Sequence, residues 1–135
     1  MIKITNKPIS PELVVNEVKT DSSGCVLAYI GLIREQSHDK QVVSVEYQDT
    51  KGTAEDSLRQ IASEARQRWQ LNNIAIRHRV GKLKVGDINL VVAVASAHRQ
   101  EAFAACQYVI DRFKQVMPTH KTETYQDGSI LVEGE

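Results

Sequence analysis

The sequence predicts a single α+β domain, residues 1–135, with helices packed on a mixed or antiparallel sheet. Three observations point there. Two stretches, Cys25 to Ile33 (CVLAYIGLI) and Ile88 to Ala95 (INLVVAVA), are nearly unbroken apolar and β-branched runs, as expected of strands covered on both faces. Two longer stretches repeat their apolar residues at helical spacing, and short β-prone segments lie around them. At 135 residues, 41% hydrophobic and 25% charged, the chain can bury a core without metal or disulfide staples.

In chain order, Ile2 to Ile4 opens as a short strand. Ser10 offers a capping hydroxyl and Pro11 a preset first helical position, so Glu12 to Val18 reads as a short helix that Asp21-Ser22-Ser23-Gly24 ends. After the Cys25 to Ile33 strand, Arg34 to Gln41 is a polar loop and Val42 to Tyr47 alternates as the next strand. From Thr53 to Trp69, Ala54, Leu58, Ile61, Ala62, Ala65 and Trp69 recur on one helical face. Asn73 to Val80 reads as a strand, Gly81 and Gly86-Asp87 punctuate a turn, and Ile88 to Ala95 follows as the second buried strand. Ser96 opens another helix with Ala102, Phe103, Cys106, Val109, Ile110 and Phe113 on one side, and Pro118 limits it. Thr122 to Val132 closes the order as a hairpin around a two-residue Asp127-Gly128 turn.

Lys plus Arg (17) equals Asp plus Glu (17), which excludes a broad basic field for nucleic acid or an anionic membrane and makes any anion site local. The start, MIKITNKPIS, has no apolar signal core, and no apolar run approaches the roughly 20 residues of a membrane span, so a cytoplasmic protein is expected. Cys25 and Cys106 lack CxxC or Cys/His ligand spacing and read as buried thiols of a reducing compartment.

The chemistry-bearing residues gather at three places. In Ala95-Ser96-Ala97-His98-Arg99 an imidazole and a guanidinium stand where a strand gives way to a helix start, whose unpaired N–H groups attract anions. The same residues could simply solvate a helix end. Around Pro118, Lys114 ends a helix and His120 and Lys121 follow, although a lysine there also complements the helix dipole. Arg34 leaves the end of a buried strand, a common position for binding groups and for ordinary surface arginines alike. Arg77 and Arg79 share one strand face and His78 takes the other, a pattern expected of a solvated or edge strand. Fifteen helical steps separate Arg99 from Lys114, about 22 Å at 1.5 Å per residue. One small ligand cannot touch both within one chain, so a shared site would have to form across a twofold dimer.

The run Ile76-Arg77-His78-Arg79-Val80-Gly81-Lys82-Leu83, then Val85-Gly86-Asp87, then Val92 to Arg99 with Ala102-Phe103, resembles the HRxGxLxxGD…VAVxSxHRxxAF core of molybdopterin synthase large subunits. Tyr29 to Arg34 looks like that family's FxGxVR strand, Val45-Glu46-Tyr47 with Ala54 to Glu64 like its helix entry, and Asp111 to Lys114 with Pro118 to Glu123 like its D.LK…PIWKKE segment. The resemblance runs from about Gly24 to Glu133 and implies an α/β hammerhead fold and a homodimer at the core of a heterotetramer. It further implies a small ubiquitin-like sulfur carrier as partner, whose C-terminal Gly-Gly thiocarboxylate donates sulfur to cyclic pyranopterin monophosphate. By matching positions, Arg34, His98, Arg99, Lys114, Lys121, Thr122 and Glu123 are the expected substrate-binding residues, with Lys114 and Lys121 catalytic. No metal or cofactor is expected, because the nucleophilic sulfur arrives on the partner. The sequence departs from the family with His120 for its Trp, Tyr29 for its strand aromatic and Thr53 for its Met, and it closes at Glu135. Two other readings stand beside this one: a non-catalytic dimeric homologue, favoured by the altered 118–123 segment, and an unrelated phosphate-binding α+β module, disfavoured by the lack of a Gly-rich loop.

Overall fold

The computed structural model describes residues 1–135 as three helices and two sheets. Strands β1 (Ile2–Thr5), β2 (Cys25–Leu32), β3 (Gln36–Ser37), β4 (Lys40–Gln48), β5 (Asn73–Arg79), β6 (Gly81–Lys84), β7 (Ile88–Ser96), β8 (His120–Tyr125) and β9 (Ile130–Gly134) accompany α1 (Pro11–Val18), α2 (Ala54–Arg68) and α3 (Arg99–Val116). The first sheet has the order β1-β5-β7-β2, with β1 parallel to β5 and the other pairs antiparallel. In the second, the order is β3-β4-β8-β9 with β6 also on β4, all antiparallel. The expected α+β class and mixed pairing are present.

Strand β7 shows why its sequence is apolar throughout. Leu90, Val92 and Val94 face a core shared with Leu58 and Ile61 of α2 and Val109 and Phe113 of α3. Val91, Ala93 and Ala95 face the other way, onto Val14 and Val18 of α1. With a helix on each side, no position of the central strand is left for a polar residue until its ends. A third cluster, Ile33, Val42, Val45, Tyr47, Leu83 and Tyr125, packs beneath the second sheet.

The helix ends follow from local chemistry. Ser10 Oγ accepts the Leu13 N–H at 3.4 Å, with Pro11 opening α1 as expected. Thr53 stands at the N-cap of α2 without a side-chain bond; instead Asp49 Oδ2 accepts the Ala54 N–H at 3.3 Å. Ser96 does not cap α3. It ends β7, donates from Oγ to the His98 carbonyl at 2.5 Å, and leaves His98 at the N-cap.

Several expectations need correction. Strand β2 is not covered on both faces, because it is a sheet edge and α1 reaches only Val26; Ala28, Ile30 and Leu32 on that face are exposed. The 34–41 segment is a tight hairpin rather than a loop, with His38 (φ 52°) and Asp39 (φ 62°) forming the left-handed pair between Ser37 and Lys40. Between the two turn glycines lies strand β6, expected only as a turn. In the closing hairpin Tyr125 pairs with Ser129 around three residues, Gly128 taking φ 86°. Strand β5 is interior rather than solvated: Arg77 pairs with Glu17 of α1, Arg79 lies 3.7 Å from Asp87, and His78 is fully buried. Phe103, one step off the buried stripe of α3, is 58% exposed. Cys106 is buried and Cys25 half-buried, both as free thiols.

Candidate functional site

A pocket of about 560 Å³ opens where the end of β2, the β3–β4 hairpin, β7, the C-terminal turn of α3 and β8 converge. This volume is within the usual range for small-molecule sites. Arg34, Lys114, Lys121 and Glu123 all line it. Each arrives by a different route: Arg34 just past β2, Lys114 in the last turn of α3, and Lys121 and Glu123 two apart on β8, hence on one face. Tyr29, Tyr47, Leu90 and Phe113 supply the apolar wall.

Lys121 is half-buried, and its Nζ lies 3.3 Å from Glu133 Oε1, its directly opposed partner on β9. That ammonium group is the main cause holding the Glu133 carboxyl below the usual carboxylate range. Glu123 is a buried carboxylate that accepts from Ser37 Oγ and Tyr125 Oη, each at 2.8 Å. Burial, and the carboxylate to which it donates, push the Tyr125 phenol up to about 12. His38 Nε2 completes the group, 3.8 Å from Glu123 and 3.6 Å from Glu133. These three residues bring ligand atoms within 4.8 Å of one another, as a cation site would require. Their carboxylates are already engaged by Lys121, Ser37 and Tyr125, so they tie the β3–β4 hairpin to β8 and β9 as a polar clamp.

Behind the pocket wall, His78 Nδ1 contacts the Asn89 carbonyl at 2.7 Å and Nε2 the Glu135 carboxylate at 3.0 Å. Thr119 Oγ1 donates to the same carboxylate. The imidazole stands edge-on to Tyr47 and Phe113, with ring centroids 5.1 Å apart in each case. Burial, and secondarily the Glu135 charge, push the Tyr47 phenol well above its ordinary range, keeping it a proton donor.

Two groups of expected site residues lie outside the pocket. Thr122 sits on the opposite face of β8, between Glu46 of β4 and Val132 of β9, because strand alternation turns it away from Lys121 and Glu123. His120 shares that outward face. His98 and Arg99 are exposed at the far end of α3 from Lys114, separated by about 22 Å of helix. Sequence reasoning missed Tyr47, Asn89, Glu133 and Glu135. Only Asn89 carried a visible signal, as the lone polar residue inside INLVVAVA.

A family model described as MoaE protein matches residues 4–116. Among curated relatives, the molybdopterin synthase catalytic subunit of Nostoc sp. is 42% identical over 127 residues, 93% of this chain and 77% of that protein. The subunit of the same name from Bacillus subtilis is 36% identical over 126 residues, 93% of this chain and 80% of that protein. The crystal structure of molybdopterin synthase from Staphylococcus aureus superimposes with a TM-score of 0.92 at 30% identity, covering 99% of this chain and 97% of that one.

Proposed function

Since the chain belongs to the MoaE protein family, we propose that it is the catalytic subunit of a molybdopterin synthase. It takes sulfur from the C-terminal thiocarboxylate of a small ubiquitin-like carrier and delivers it to cyclic pyranopterin monophosphate, forming the dithiolene of molybdopterin. The observation that carries this reading is the convergence of Arg34, Lys114 and Lys121 on one pocket of about 560 Å³. Sulfur attack and opening of the cyclic phosphate both build negative charge, and two ammonium groups on a partly desolvated wall stabilise it. Lys121 is held for this by Glu133, and Glu123 acts as a positioning residue that fixes the hairpin carrying Ser37.

His98 and Arg99 serve a second copy of the chain. Their distance from Lys114 excludes a shared small ligand within one chain, so across a twofold dimer they reach the substrate phosphate in the partner's pocket. Replacement of the family Trp by His120 falls on the outward face of β8 and leaves the pocket wall intact, which favours turnover over a non-catalytic role.

The test is reconstitution with a thiocarboxylated carrier and cyclic pyranopterin monophosphate, with product read as its oxidised fluorescent derivative. Wild-type chain forms product; Lys114→Ala and Lys121→Ala lose it while unfolding within about 1 kcal/mol of wild type, since neither side chain supports the core. Wild-type rates in either variant would refute the assignment.

A further inference from the structure

At the pocket floor, the β2–β7 ladder slips by one residue. Gly31 faces Leu90 and Leu32 faces Ile88, so Asn89 is the extra residue of a β-bulge. The bulge turns Ile88 toward the α1 side and lets Asn89 and Leu90, though consecutive, both line the pocket. His78, fully buried, holds the bulge by its contact with the Asn89 carbonyl. Asn89 Nδ2 donates to Tyr47 Oη at 3.2 Å, whereas Asn89 Oδ1 is shut off from water and has no hydrogen-bond partner. A buried carbonyl without a donor is unusual and asks for an explanation in a ligand. Gly31 makes room for it: a Cβ there would stand 2.8 Å from Oδ1. Gly31 and Tyr47, on either side of the carboxamide, also line the pocket.

The unmet acceptor is therefore next to a phenol that accepts one bond and keeps its own proton to donate. Tyr29, Leu90 and Phe113 wall the same space with flat, apolar surface. An acceptor beside a donor, against flat walls, complements a planar heterocycle carrying an N–H next to an acceptor atom. The lactam edge of a pterin has that arrangement, whereas an extended peptide tail would need a free backbone ladder instead. We propose that Asn89 and Tyr47 read the pterin ring: a small shift of the Asn89 side chain opens Oδ1 to accept the ring N–H, and Tyr47 donates to the adjoining acceptor, with Gly31 and His78 as positioning residues. The proposal rests on the pocket being the pterin site and adds the groups that select the ring.

The experiment is calorimetric binding of cyclic pyranopterin monophosphate and of its lactam N-methyl analogue to wild type, Asn89→Leu and Tyr47→Phe, with steady-state turnover in parallel. Wild type should prefer the parent by about tenfold or more, since a site built to bond an N–H is left unpaired by the analogue. Both variants should lose most of that preference, with KM rising more than kcat falls. Folded variants that discriminate as wild type does would overturn the proposal. So would variants that bind the ring normally but lose affinity for the carrier alone, which would assign the carboxamide to the peptide tail. A wild-type chain that binds neither pterin would overturn the pterin-site reading itself. Ring binding without turnover would sink only the catalytic claim.

Discussion

Lys121 owes its position to a single neighbour across the ladder. Glu133 stands directly opposite on β9 and draws the ammonium group to 3.3 Å, so a flexible side chain is presented to the pocket in one place. Glu123, expected to bind substrate, lines the pocket, and its two hydroxyl partners fix its carboxylate in the wall. Alternation along β8 is simple enough to read from sequence, yet the family motif groups Thr122 with its neighbours because a motif match assigns a segment and not a face. Asn89 stands out in the sequence as a polar residue within an apolar run, but its meeting with Tyr47 and His78 does not, because what unites them is a bulge and contacts across distant strands. At this same scale, burial pushes the Cys106 thiol up to about 11. At pH 8 only about a thousandth of it is thiolate, so iodoacetamide should leave Cys106 unlabelled in native protein and label it fully after denaturation, as peptide mass spectrometry would show. Rapid native labelling would mean that α3 opens readily.

Among the elements, α2 was the easiest to read because its apolar positions repeat without interruption, and all five buried residues within it were expected from that spacing. Leu58 is completely buried between α2 and the sheet. Leu58→Ala should cost about 2–5 kcal/mol, measured by urea unfolding; a cost below about 1 kcal/mol would show that the core collapses around the gap. The short strands were harder. Gly81 to Lys84 begins on one positive-φ glycine and ends just before another, Gly86, and resembles punctuation until β4 is seen beside it. The closing hairpin has its own electrostatic lock: Ser129, through its hydroxyl and N–H, and Lys40 hold the Asp127 carboxyl down to about 2. A carboxylate with a depressed folded-state pKa stabilises the fold above its unfolded pKa, about 3.9, and loses that contribution as pH falls toward about 2. NMR titration should therefore find Asp127 ionised at pH 3, and Asp127→Asn should flatten that part of the stability profile. A titration midpoint near 4 would remove the lock.

For the whole molecule, the two-sheet arrangement builds the candidate site, because the pocket lies where the sheets meet and joins Arg34 to Lys121 across most of the chain. Such long-range convergence has no local periodicity and could be anticipated only through the family motif. The separation of Arg99 from Lys114, by contrast, was legible from helix length alone, and the observed α3 keeps both on one continuous helix. The exposed face of β2 is the corresponding surprise, since a run as apolar as CVLAYIGLI suggested burial that one chain does not provide. The composite site that we propose combines Lys114 and Lys121 of one chain with His98 and Arg99 of another. Its most direct test is to unfold, mix and refold equal amounts of Arg99→Ala and Lys114→Ala chains, each inactive alone, and assay product with carrier and pterin. In a twofold dimer half of the assemblies are mixed and each of these regains one intact site, so about a quarter of wild-type activity should return. A mixture no more active than its separate components would contradict the shared site.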